Sequence, residues 1–85
     1  MTLEPTELLT ATLAEIPDGH RFAILKVRGH GEIRQRLIDL GFVKNEKGIV
    51  LRQALLKDPI EIEIRGTRVS LRRSEARLID IEVMD

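Results

Sequence analysis

The most regular pattern in the chain is Ile60-Glu61-Ile62-Glu63-Ile64, where aliphatic and charged residues alternate with a period of two. Successive side chains of a β-strand point to opposite faces, so this stretch predicts a strand with one buried face. Val69 and Leu71 continue the alternation beyond Gly66-Thr67. A type II′ turn takes glycine at its first central position, so Gly66-Thr67 predicts a two-residue hairpin loop. The register that follows sets Ile64 opposite Val69, Ile62 opposite Leu71 and Glu61 opposite Arg72. Ile79, Ile81 and Val83 alternate with Asp80 and Glu82 in a last strand. Before it, Ser74 is placed to cap a single helical turn, Glu75-Ala76-Arg77. Two earlier runs also read as strands: His20 to Arg28, with Phe22, Ile24 and Val27, and Ile49 to Leu56, which stops at Lys57-Asp58-Pro59.

The period changes once, between Glu32 and Leu40. Ile33, Leu37 and Leu40 fall at i, i+4 and i+7, one stripe of an amphipathic helix, while Arg34, Gln35 and Asp39 face water. Gly41 follows as a C′ glycine in the left-handed region would. Residues 1–11 fit no strand pattern. Leu9, Leu13 and Ile16 do share a helical spacing, so this part reads as an N-terminal extension with at most one ordered turn, ahead of a single domain over 12–85. The expected fold is mainly β: about five strands, one short helix after the first strand, and one helical turn before the last. In so short a chain, closing a bent sheet into a small barrel protects its edges.

Composition narrows the function. At 85 residues the chain holds one modest core and little room for an enclosed active site. Fourteen basic side chains balance fourteen acidic ones, so no global charge attracts nucleic acid or an anionic membrane. The absence of cysteine removes disulfides, thiolate metal sites and cysteine nucleophiles, and fits a reducing cytosol. Phe22 and Phe42 are the only aromatic residues, which counts against base stacking and proline-rich ligands. The start of the sequence lacks a signal-peptide pattern, and no apolar run approaches a membrane span.

No nucleophile–base pair or nucleotide motif can be assembled, so no catalytic residue and no cofactor are assigned. Gly29-His30-Gly31 reads as a strand-to-helix turn rather than a phosphate cradle. His20 and His30 read as surface histidines, leaving at most a weak site of one imidazole with a carboxylate. Arg65, Arg68, Arg72, Arg73 and Arg77 crowd one stretch; they form either a basic patch or, with Glu61, Glu63 and Glu75, a mixed exposed face. Leu55 and Leu56, beside the Lys57-Asp58-Pro59 turn, are either the candidate contact surface, because exposed apolar side chains on a loop mark partners, or include one leucine that caps the barrel.

The order of elements resembles the FeoA family, ferrous iron transport protein A, from about Leu13 to Val83. The family's helix motif, Arg-Leu-x-x-Leu-Gly, is matched by Arg36, Leu37, Leu40 and Gly41, and its Asp-Pro hairpin tip by Asp58-Pro59. A further block is matched by Gly66, Leu71, Arg72, Glu75 and Ala76. Lys44-Asn45 replaces the usual Pro-Gly, and asparagine tolerates the left-handed conformation the turn needs. Gly48 stands where valine is common, which predicts a looser start to that strand. The tip, Ala54 to Pro59, departs from the family's Ala-Pro-Leu-Gly-Asp-Pro, which bears on partner choice. The resemblance implies an SH3-like barrel and a non-enzymatic, cytosolic role beside FeoB, the GTPase-linked Fe(II) permease; the expected contact, read from the loop itself, is Leu55, Leu56, Lys57, Asp58 and Pro59. It also implies transition-metal binding, for which the residues offer no ligand set. Two rival readings are a regulatory domain that binds a DtxR-type metal-dependent repressor and a nucleic-acid binder using the arginine cluster.

Overall fold

The computed structural model of the chain describes residues 10–53 and 58–84. Six strands form one antiparallel sheet: β1 (Thr10–Thr12), β2 (Arg21–Val27), β3 (Lys47–Gln53), β4 (Ile60–Ile64), β5 (Thr67–Leu71) and β6 (Ile79–Val83). Helix α1 (Gly31–Asp39) joins β2 to β3, and the short helix α2 (Arg73–Ala76) joins β5 to β6. The strand order is β1-β6-β2-β3-β4-β5. Phe22, Ile24, Val50, Ile62, Leu71 and Ile81, drawn from five different strands, share one buried cluster, so the sheet wraps around a single core. The wrap leaves β1 and β5 as edges rather than a closed barrel, and no buried side chain is polar or charged among the described residues. No helix among them is long and apolar enough to cross a membrane.

The sixth strand lies where the sequence pattern offered none. Thr10, Ala11 and Thr12 pair with Glu82, Ile81 and Asp80 of β6. A 3-10 turn over Leu13–Glu15 then buries Leu13 and Ala14, with Ile16 buried just after it. Three residues are too few for alternation to register, so hydrogen bonding to β6 overrides local pattern. Leu9 lies outside the described residues. Glu15 accepts hydrogen bonds from the Thr12 backbone N–H (2.8 Å) and hydroxyl (2.9 Å), the first being the larger reason its carboxyl sits below the usual carboxylate range.

In β2 the apolar residues break parity, stepping from Phe22 and Ile24 to Val27. A bulge between Ile24 and Lys26 absorbs the extra residue and returns Val27 to the core. The β4–β5 hairpin also differs from expectation. Its turn has Arg65 (φ 54°) and Gly66 (φ 75°) at the centre, the two left-handed positions of a type I′ loop, rather than Gly66-Thr67. Ile64 therefore faces Thr67, Ile62 faces Val69 and Ile60 faces Leu71. The shift of two residues keeps every side chain on its expected face. It also replaces an Arg65–Arg68 juxtaposition with Glu63 opposite Arg68, a favourable charge pair.

Helix α1 begins and ends as its sequence predicts, but its stripe is not buried throughout. Leu37 is fully buried, whereas Ile33 is 52 % and Leu40 37 % exposed. The helix meets the sheet along a narrow line, closed by a Schellman arrangement. Gly41 (φ 112°) donates to the Ile38 carbonyl and Phe42 to the Leu37 carbonyl, both at 3.0 Å. Phe42 enters the core beside Leu37. Asn45 adopts the left-handed conformation (φ 74°) expected of it. Gly48 does not loosen β3: a Cβ there would lie 2.7 Å from both the Glu63 carbonyl oxygen and the Phe22 ring.

Candidate functional site

The motif residues converge on the junction between the two helices. Arg36 on α1 forms an ion pair with Glu75 on α2 through Nη2 and Oε2. The other Glu75 oxygen accepts the Arg72 backbone N–H at 2.9 Å, so Arg72, not Ser74, is the N-cap residue and glutamate at N3 reaches back to it. Asp58 Oδ1 accepts the Arg73 backbone N–H at 2.9 Å, satisfying a second free donor of the same helix. Ala76 and Leu71 are buried, and Gly66 shapes the hairpin turn. The resemblance thus rests largely on residues that join α1, α2 and the β3–β4 connection. Asp58, expected at a contact surface, has a structural task, and Pro59 sits half-buried in a shallow depression with Arg36, Arg72 and Glu75. Leu55, Leu56 and Lys57 lie outside the described residues.

Glu75 carries two interactions, and its substitutions separate them. Glu75→Ala should cost about 0.5–1.5 kcal/mol for the lost hydrogen bond to the Arg72 N–H, plus about 0.2–1 kcal/mol for the half-exposed ion pair. Glu75→Gln keeps an oxygen for the Arg72 N–H and should cost only the ion-pair part, as should Arg36→Ala. Urea melts of the three variants check this; equal losses for Glu75→Ala and Glu75→Gln would show that the cap contributes nothing.

The arginine cluster disperses into local tasks. Arg73 holds the N-terminal turn through the Ala14 carbonyl and bonds Gln53 Oε1 (2.6 Å), while Gln53 Nε2 donates to the Ile16 carbonyl (3.1 Å). Arg65 Nε lies 3.9 Å from Glu46, and Arg68 stands opposite Glu63. His30 is exposed at the start of α1 and His20 lies half-buried before β2. Among the described residues no three His, Cys, Asp or Glu side chains converge on a point that could hold a metal ion.

A cleft of about 530 Å³ lies between β2, the following Arg28–Gly29 bend, one face of α1 and the segment after it. Leu25, Val27, Ile38 and Val43 supply its apolar surface, above the fully buried Phe42. Lys26, Arg28, Arg34 and Lys44 supply four cations, and no carboxylate lines it. Arg28 is partly neutralised from outside: its Nε lies 3.1 Å from Asp80, and its Nη2 donates to the Arg77 carbonyl. Lys26, Arg34 and Lys44 are exposed and make no ion pair among the described residues. Sequence reading missed this site because its cations come from three separate elements. The one local signal was Arg34 with Ile38, four residues apart on a single helix face.

The FeoA domain profile matches residues 11–83. The chain is 36 % identical over 72 residues to a fusion protein of Fe(2+) transport protein A and the Fe(2+) transporter FeoB from Porphyromonas gingivalis. That match covers 85 % of the chain but only 8 % of the fusion protein's length. It is 32 % identical over 73 residues to a putative Fe(2+) transport protein A of Campylobacter jejuni, covering 86 % of the chain and 99 % of that protein. Among solved structures, the zinc-complexed FeoA of Stenotrophomonas maltophilia, described as a prokaryotic SH3 domain protein, superposes with a TM-score of 0.76 at 29 % identity, covering 85 % and 89 % of the two chains. The open six-stranded sheet is therefore the SH3-like fold that the sequence led us to expect, and the chain belongs to the FeoA family.

Proposed function

We propose that the chain is a non-enzymatic accessory protein of ferrous iron uptake that docks on the cytosolic region of a FeoB-type Fe(II) transporter. The observation that carries this is the Porphyromonas gingivalis relative, in which a matching segment is joined in one polypeptide to an Fe(2+) transporter FeoB. Joining two modules raises their effective concentration for each other, a benefit only if they act together. The chain itself supplies a small folded body with an uncovered cleft and, among the described residues, no cluster of side chains suited to holding a metal. Its part in this reading is to bind the transporter from the cytoplasmic side of the membrane.

The test is an NMR titration of the isotope-labelled chain with the transporter's cytosolic GTP-binding region, with and without nucleotide. Localised, saturable shifts support docking and map its surface. The proposed contact at Leu55, Leu56, Lys57, Asp58 and Pro59 is checked in the same experiment by Leu56→Asp, which should weaken binding if that tip is used. No shift at high concentration of the GTP-binding region would overturn docking on it.

A further inference from the structure

We propose that the cleft between β2 and α1 is a docking slot for an acidic, aliphatic peptide segment of a partner protein. The inference rests on the reading that the chain works by binding another protein, and it assigns the surface and the chemistry of the contact. Its basis is charge complementarity over an apolar floor. In a chain with no net charge, four cations gather around one concavity that no carboxylate lines. Three of them, Lys26, Arg34 and Lys44, have no ion-pair partner among the described residues, although acidic and basic side chains are equally abundant. Elsewhere Arg36, Arg52 and Arg65 each stand beside a glutamate, and Lys47, Arg68, Arg72 and Arg77, which also make no ion pair among the described residues, lie outside this concavity.

The floor selects among anions. Leu25, Ile38 and Val43 are half-buried at the cleft, so an entering aliphatic side chain would remove apolar surface from water on both sides. A free phosphate would use the cations and leave that surface wet. A single-stranded nucleic acid would look for aromatic platforms, and both phenylalanines are fully buried. The volume, about 530 Å³, lies within the range of clefts that enclose small ligands or a few side chains. A segment with carboxylates flanking one or two leucines satisfies floor and rim together. The charged rim would steer such a segment in and turn basic segments away, giving specificity as much as affinity.

The experiment titrates the labelled chain with the acetylated, amidated peptide Glu-Glu-Leu-Leu-Glu-Glu, with Lys-Lys-Leu-Leu-Lys-Lys and hexaglutamate as comparisons. Saturable shifts confined to Leu25–Gly29, the Arg34–Ile38 face and Val43–Lys44 are expected for the first peptide, with affinity for the other two at least about tenfold weaker. The double variant Arg34→Glu/Lys44→Glu, which changes only exposed side chains, should keep its folded spectrum and lose about tenfold in affinity. Equal binding of the lysine peptide, shifts mapping elsewhere, or an unchanged affinity in the double variant would overturn the proposal. So would shifts at the cleft on simple concentration of the chain, which would assign the slot to a second copy. The double variant is then titrated with the transporter's GTP-binding region. Binding equal to the parent chain's removes the cleft from the contact and leaves the accessory role standing. Peptide in the cleft with no binding of that region keeps the slot and moves the partner elsewhere.

Discussion

A Gly48→Ala variant should be less stable than the parent chain by about 1–2 kcal/mol, although glycine ordinarily weakens a strand and its replacement by alanine ordinarily helps. The two effects have opposite signs and can be compared. Removing the backbone freedom of glycine contributes about 0.4–1 kcal/mol in favour of alanine. Against that, the new Cβ would lie 2.7 Å from the Glu63 carbonyl oxygen and 2.7 Å from the tip of the Phe22 ring. The oxygen belongs to the backbone of β4 and the ring is fully buried, so neither is a free end that swings away. Overpacking of this kind costs about 1–3 kcal/mol. For a domain of this size the net loss would lower the melting temperature by roughly 4–8 °C per kcal/mol. Gly48→Val should lose more. Adding Phe22→Leu to Gly48→Ala tests the cause: the double variant should be more stable than the sum of the single losses, because one of the two obstructing atoms has gone. A Gly48→Ala chain that melts at or above the parent temperature would show that the strand and ring give way.

Gly48 also shows what a single sequence makes legible. Its glycine reads as a weak point when only its own strand is considered. Its reason lies in Phe22, twenty-six positions earlier, whose ring fills the space over the strand. The bulge in β2 is similar: the odd step from Ile24 to Val27 is visible in the sequence, but pairing with β6 explains it. Where a rule is local, the reading carried through. Ile60 to Ile64 alternate into a strand, Gly41 closes α1 in a left-handed conformation, and Asn45 takes positive φ. The hairpin register needed one further consideration. Both Gly66-Thr67 and Arg65-Gly66 are acceptable loops, and both bury the same isoleucines. Only the charge pairs across the outer face tell them apart.

The candidate site was the least legible part. The arginine run in the last third of the chain is the obvious basic feature of the sequence, yet Arg73 holds the N-terminal turn and Arg65 and Arg68 face glutamates. The cations that gather at the cleft without an ion pair among the described residues are Lys26, Arg34 and Lys44, which no linear pattern groups. Asp58 shows that one residue can carry a task the sequence does not announce, since its exposed carboxylate accepts a backbone N–H at the start of α2. Motif positions report on the fold here because the fold needs them, and a binding surface can vary around them.

The helix supplies the second large effect. Leu37→Ala should destabilise the chain by about 2–5 kcal/mol, and Ile33→Ala, on the same nominal stripe, by less than about 0.5 kcal/mol. The difference follows from burial: Leu37 is wholly enclosed beside Phe42, whereas Ile33 is half in water. Leu37 has an additional task, since its carbonyl accepts the Phe42 N–H in the helix-terminating turn. Truncating its side chain leaves that bond's geometry available but opens a cavity against the one aromatic ring the segment contributes to the core. Denaturant melts of both variants decide the matter. Equal, small losses would mean that the helix is held by its ends alone, through Gly41 and the Arg36–Glu75 pair. Equal, large losses would mean that Ile33 is covered in solution by a second surface. The expected asymmetry would establish that α1 is fastened along one narrow line. That leaves its Arg34–Ile38 face open to the cleft, with little of the fold's stability invested there.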